Sequence, residues 1–354
     1  MRDMRCGLFS LVLALASGCS RGEKTAEHNA GSAPVIYASD ESRGDIAVID
    51  PASGQLVATI PVGKRPRGVK LSRDGKLLYV ALSGSPQAGP GVDESKLPPG
   101  DRSADGVGVV DLAARKLLRI LPSGQDPESF DLSPDGKVLY VSNEETAEMT
   151  ALDLDTGVIR GKVGVGREPE GVTVRPDGKA VYVTSEQDAE VTVVDTATLA
   201  VVGQMHTGRR PRSIVFAKDG VTAFVTNELE GTVTVLDTVA QKPVAEIKTF
   251  LNSPLLSGPR PMGEVLSADG KLLYVSTGRG GSVAIIDVAT HLEVRSIDGV
   301  GDRPWGIGLS PDGTHVYTAN GTSHDLSVTS LRTGNVEKRV HVDGSLWGLV
   351  VATP

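Results

Sequence analysis

Several residue types are scarce in this 354-residue chain, and each scarcity excludes something. Its two cysteines, at 6 and 19, both fall in the first 19 residues. No disulfide framework or cysteine metal site can therefore hold the body of the fold. Aromatic residues are 4% of the sequence, with two tryptophans, so the core has to be built from Val, Leu, Ile and Ala. The six histidines are scattered at 28, 206, 291, 315, 324 and 341, and no CxxC, HExxH or GxSxG is present. Basic charge is also short: 36 Lys and Arg stand against 44 Asp and Glu, a net charge of −8. That argues against nucleic acid as a partner, because phosphate contact requires a basic surface. No segment shows helical periodicity. No stretch is long and apolar enough to span a bilayer; one apolar run near the N-terminus is too short to do so.

That run is Leu8–Ala16, preceded by Arg2 and Arg5. It reads as the core of an export signal. Ala16-Ser17-Gly18-Cys19 follows and resembles a bacterial lipobox, with alanine where leucine is usual. The expectation is a signal peptide over 1–18, lipidation of Cys19, and a polar tether over 19–34. Cys6 leaves with the signal. The mature protein is then an exported lipoprotein on the outer-membrane, periplasmic side or the cell surface, touching the membrane only through its lipid.

Repetition organises the remainder. The phrase GREPEGVTVRPDGKAVYVTSE at 166–186 returns at 63, 124, 208, 258 and 301, with steps of 61, 42, 42, 50 and 43 between successive opening glycines. Each copy holds a GxxP opening, two apolar alternations of period two joined by Asp-Gly, and then two further short alternating runs. Period-two alternation signals strands, and Asp-Gly signals a tight turn with positive φ. Four strands per unit of about 42 residues is the pattern of a β-propeller blade. Residues 35–60 supply three strands and lack the first of a unit. Gly344–Ala352 is a unit opening with nothing after it. Joined, they make a seventh blade and close the ring without free edges. The fold expected over 35–354 is all-β, a seven-bladed propeller with four antiparallel strands per blade.

Tyr140-Val141-Ser142-Asn143, Tyr182-Val183-Thr184-Ser185, Phe224-Val225-Thr226-Asn227 and Tyr317-Thr318-Ala319-Asn320 carry a family resemblance. They are similar to the motif of the YVTN-repeat propellers, part of the wider WD40/YVTN-like class, and the resemblance covers nearly all of 35–353. It looks particularly similar to the periplasmic propellers associated with PQQ-dependent alcohol catabolism, and the wider group resembles the d1-haem propeller of nitrite reductases. It implies a secreted or surface binding protein.

Call the strands of a blade a to d from the axis outward. The d–a and b–c connections then share one face, where strand a meets the channel. The residues flanking each GxxP proline vary between blades while the scaffold repeats. They are Arg65 and Arg67, Asp126 and Glu128, Glu168 and Glu170, Arg210 and Arg212, Arg260 and Met262, Arg303 and Trp305, and Ser345 and Trp347. This predicts an acidic arc on blades 3 and 4, joined by Glu144, Glu145 and Glu186, and a basic arc on blades 5, 6, 7 and 2, with Arg209 and Arg279 nearby. The two tryptophans fall on adjacent blades. Arg65, Arg67, Glu128, Glu170, Arg210, Arg212, Arg260, Arg303, Trp305 and Trp347 are the candidate binding residues of the channel rim. Charges at strand mouths can equally serve only to pair between blades. Insertions at 83–105 and 250–257 lengthen loops of the same face.

No catalytic set, metal site or cofactor follows from these residues. DxDTG at 153–157 spaces oxygens as a calcium loop does, but lacks the closing glutamate and reads as a c–d turn. The reading is a monomeric, non-catalytic propeller that binds a partner protein or a small anionic ligand through its loop face. An accessory or cofactor-carrying role in a quinoprotein or haem oxidation system comes next. A lactonase-like hydrolase using channel glutamates comes last.

Overall fold

A computed structural model of the chain describes residues 33–87, 96–249 and 258–353. Cys19, the signal segment, most of the tether, the middle of the first insertion and the whole of 250–257 lie outside the described residues. The described residues form seven four-stranded antiparallel sheets, as the repeat predicts. Blade 2 shows the unit: β4 (Pro66–Leu71), β5 (Leu77–Leu82), β6 (Gly106–Asp111) and β7 (Lys116–Leu121), from inside out. Ring closure follows the split blade. β28 (Leu346–Ala352) pairs antiparallel with β1 (Val35–Asp40), setting Val35 opposite Ala352 and Tyr37 opposite Val350.

The a–b turns are built by their own side chains. In Ser72-Arg73-Asp74-Gly75, the Ser72 hydroxyl donates to the Asp74 carboxylate at 2.6 Å, and Gly75 N–H donates to Ser72 O at 2.9 Å. Gly75 sits at φ 69°, a region that costs glycine nothing. The same Ser–Asp bond recurs at 133–135, 267–269 and 310–312. DxDTG is likewise a turn: Asp153 accepts from Thr156 N–H at 2.9 Å and from the Arg160 guanidinium at 3.1 Å.

The core lies between blades. Tyr79, Ala81 and Val107 of blade 2 pack against Phe130, Leu132, Leu139 and Val141 of blade 3, and equivalent apolar sets join the other neighbours. With few aromatics, the layers are filled by β-branched residues that suit a pleated surface.

The Tyr-Val-Thr-Asn phrase has two jobs. Its asparagine ends strand b and ties it to strand c: Asn227 Nδ2 donates to Thr232 and Thr234 hydroxyls at 3.1 and 2.8 Å. Its hydroxyl residue binds the carbonyl of the residue after the proline in the next blade. Ser39 donates to Arg67 O at 2.6 Å, Ser142 to Glu170 O at 2.6 Å and Thr184 to Arg212 O at 3.1 Å. Thr226 donates to Met262 O and Ser276 to Trp305 O, both at 2.7 Å. Five rim residues are thus clamped by a neighbouring blade. Blades 2 and 7 carry Ala81 and Ala319 there instead. Thr184 also accepts from Gly171 N–H at 2.8 Å. Thr184→Val keeps the shape but strands these buried groups. It is expected to cost about 1–3 kcal/mol in denaturant unfolding, against no change if the bonds were incidental.

Candidate functional site

Strand b and strand d deliver their connections to one face because the strands alternate direction. The residue after strand b is tied to the residue before the proline. Glu41, Glu144, Glu186 and Glu228 donate their N–H groups to Ser345, Asp126, Glu168 and Arg210 carbonyls, each at 2.9 Å. The pre-proline residues themselves adopt positive φ in five blades: Arg65 39°, Asp126 55°, Glu168 50°, Arg210 57° and Arg303 56°. Its recurrence makes this backbone strain a property of the blade opening. Blade 6 departs: Arg260 is absent from this set, and its strand a, β20, is only Glu264–Leu266.

These connections enclose a cavity of about 730 Å³ over the channel. Of the candidates, Arg65, Arg67, Glu170, Arg210, Arg212, Arg303, Trp305 and Trp347 line it. Glu128 and Arg260 do not. Glu128 is fully buried below the rim, and Arg260 is half-buried with its Nε unpartnered. The described parts of the 83–105 insertion form one wall, with Ser85, Pro86, Pro98 and Arg102. Arg102 is fixed there by Glu145 at 2.7 Å, and Asp101 by Lys64 at 2.7 Å.

Around the ring, from blade 1 to blade 7, the residues after the proline position run Trp347, Arg67, Glu128, Glu170, Arg212, Met262, Trp305. Opposite charges meet at the arc boundaries. Arg67 is ion-paired with Glu128 and lies 3.8 Å from Glu144. Arg212 contacts Glu186, Glu170 at 3.2 Å and Glu228 at 2.7 Å. Arg210 reaches Glu186 at 2.6 Å, and Arg65 reaches Glu41 at 3.0 Å. The tryptophan rings lie 5.2 Å apart and tilted by 37°, with Arg67 over Trp347 at 5.4 Å and both Arg212 and Arg303 over Trp305 at 5.1 Å. Arg260 and Arg303 make no ion pair among the described residues. Burial, with Arg212 and Arg279 nearby, lowers the proton affinity of Arg303.

Glu41 and Glu228 are site residues that sequence reading missed. The available signal was their place in the repeat, directly after strand b, where Glu144 and Glu186 also stand. The four acids differ in surroundings. Despite its burial, Glu228 is held below the usual carboxylate range by Arg212 and Arg210. Burial pushes Glu186 up, against the pull of Arg212. Burial pushes Glu144 up to about 7; Arg67 opposes this, while Asp126, Glu170 and Glu168 add to it. No cation lies closer to Glu144 than Arg67 among the described residues, so its carboxyl is the least committed of the four.

Asp126, Glu128 and Glu144 bring one oxygen each within 4.8 Å of one another, the spacing of a cation site. The Arg67 guanidinium already pairs with Glu128 there, supplying the positive charge. Neither histidine nor cysteine lines the main cavity among the described residues, and its acidic groups are carboxyls.

A family model described as Lactonase, 7-bladed beta-propeller, matches residues 196–343. The segment includes Arg210, Arg212, Glu228, Arg303 and Trp305. Antigen Lp49 of Leptospira interrogans is 33% identical over 162 residues, 37% of this chain and 35% of that protein; the match thus spans about a third of its length. Among solved structures, the periplasmic gluconolactonase of Pseudomonas aeruginosa is 20% identical at a TM-score of 0.70, covering 91% of this chain and 99% of that one. Hydrazine synthase of Kuenenia stuttgartiensis is 22% identical at 0.59, covering 75% and 76%. At these identities the structural likeness establishes the seven-bladed fold. The lactonase match corrects the expectation of a non-catalytic binding propeller. The physical reason is visible in the cavity: burial raises the proton affinity of a lining carboxyl, Glu144, and such a shift leaves no sequence motif.

Proposed function

We propose that the chain is a hydrolase of lactones, acting in the loop-face cavity. The observation that supports this best is Glu144: it adjoins an open cavity, and its proton affinity near neutrality lets it both take and return a proton. The lactonase match over 196–343 supports the same reading.

The step is hydrolysis of a cyclic ester. Glu144 as carboxylate takes a proton from water as its oxygen bonds to the lactone carbonyl carbon. The carbonyl oxygen gains negative charge, which the guanidinium-lined wall stabilises, Arg65 and Arg303 being its rim members. The ring C–O bond then breaks, and the departing oxygen takes the proton back from Glu144. Water and lactone become a hydroxy acid, and the carboxylate is regenerated. The paired tryptophans offer apolar surface for the substrate ring.

The test is acid release in a pH-stat from gluconolactone, its 6-phosphate and butyrolactone. Saturable hydrolysis of at least one is expected. Rates equal to buffer for all three would overturn the reading.

A further inference from the structure

Three places after the blade-opening proline, six blades carry an apolar residue: Val69, Phe130, Val172, Ile214, Ile307 and Leu349. Blade 6 carries Glu264. Its register is that of the others: Glu264 stands opposite Val275 as Val69 stands opposite Val80 and Ile214 opposite Val225. A carboxyl therefore occupies a position the fold otherwise fills with hydrocarbon. Both its oxygens are buried with no protein partner. Burial alone drives its proton affinity well above the usual carboxylate range.

Glu264 lines a cavity of about 160 Å³ in the shaft of the propeller, where Trp347 also contributes. The indole Nε1 of Trp347 is likewise buried without a partner. A second cavity, of about 140 Å³, lies against both tryptophans and shares Ser129, Ser213, Gly263 and Gly306 with the first. The residues two places after the proline position are all small: Gly68, Ser129, Gly171, Ser213, Gly263, Gly306 and Gly348; at each of the five glycines a Cβ would meet the backbone of the next blade's inner strand, so the strands around the shaft approach closely.

We propose that this shaft, below the tryptophan pair, is a second binding site for a small neutral polyol, held between the Glu264 carboxyl and the indole N–H of Trp347. A neutral carboxyl presents one donor and an acceptor, and the indole presents a donor only. Vicinal hydroxyls, each able to donate and accept, satisfy both. Two unpaired buried polar groups are otherwise costly. The volume, about five waters' worth by liquid density, suits such a molecule. The charged groups nearby are already neutralised: Lys70 by Asp131 at 2.6 Å, and Arg212 by Glu170 at 3.2 Å. Among the described residues, an anion finds no unpaired cation lining the shaft. A cation would require ionising Glu264 where burial opposes it.

The proposal does not rest on the hydrolase reading. It is tested by thermal unfolding of the full chain, wild type, Glu264→Gln and Glu264→Val, with glycerol, erythritol or myo-inositol. Trimethylamine N-oxide serves as an osmolyte that stabilises by exclusion. A saturable rise in Tm with at least one polyol is expected for wild type and Glu264→Gln, which keeps a donor and an acceptor. Glu264→Val, carrying the residue of blades 2 and 4, is expected to fold and to bind about tenfold more weakly or worse. Absence of any saturable rise in the wild type, or an equal saturable rise in Glu264→Val, overturns the proposal.

Discussion

Arg212→Met is expected to remove about 3–5 kcal/mol of folding free energy at pH 8, the usual cost of stranding buried charge. In Tm this is a fall of the order of 10 °C. The Arg212 side chain is 8% exposed and touches Glu170, Glu186 and Glu228. Although burial works against its charge, these three carboxylates hold the guanidinium firmly protonated. Methionine fills similar volume but leaves Glu186 and Glu228 with Arg210 as their close cation, and the buried Glu170 with none among the described residues. In the variant Glu228 loses the cation that chiefly holds its proton affinity down, and Glu186, already pushed up by burial, loses the guanidinium that opposes this, so both rise in the folded state. The folded state then binds more protons than the unfolded state, so stability falls as pH rises through that interval. The penalty is full at pH 8 and shrinks as pH falls towards 5. Urea titrations of parent and variant at pH 8 and pH 5 check this. A loss independent of pH would mean that Arg212 acts through packing, against Trp305 for instance, and not through charge. Arg212→Lys is expected to fall between the two, since ammonium keeps the charge but not the planar fork.

Glu144→Gln is expected to lower kcat for lactone hydrolysis by about 10²–10⁴-fold, with KM little changed. Parent kcat/KM should rise with pH through about 7, where Glu144 loses its proton, and this limb should vanish in the variant. Folding and chemistry separate cleanly here. Burial raises the folded-state affinity of Glu144 above its unfolded value, so its ionisation subtracts stability as pH rises through the interval ending near 7. At pH 8 the glutamine variant, free of that charge, should be at least as stable as the parent. A variant that is stable yet inactive places Glu144 in the chemistry. Retained activity, or an unchanged limb, removes it.

The residues that build blades were legible because their requirements are local. Asp-Gly turns need positive φ, alternation needs one buried face, and a split blade announces ring closure by what each terminus lacks. The position of the rim was legible for the same reason: strand alternation places the residues flanking Pro66 or Pro211 beside the channel. Their partners were not. Arg67 and Glu128 stand 61 residues apart in two different copies of the repeat, and nothing local to either signals that they meet. Two arcs of opposite sign were expected; in the folded protein the residues at their boundaries pair across blades. Glu41 and Glu228 were overlooked because each looks like an ordinary loop acid. Glu144 was read as one charge among several, although it lacks the close cations that hold Glu228 down.

The sequence by itself determined seven blades, their strand order, the closing strand and the face on which variability gathers, because each depends on periodicity and turn chemistry within about 42 residues. Tertiary structure alone decided which charges are neutralised, which acids burial pushes up, and that the Glu264 carboxyl oxygens lie buried where six blades place hydrocarbon. Those properties depend on distance and desolvation between neighbouring blades, which come into existence only when the ring closes.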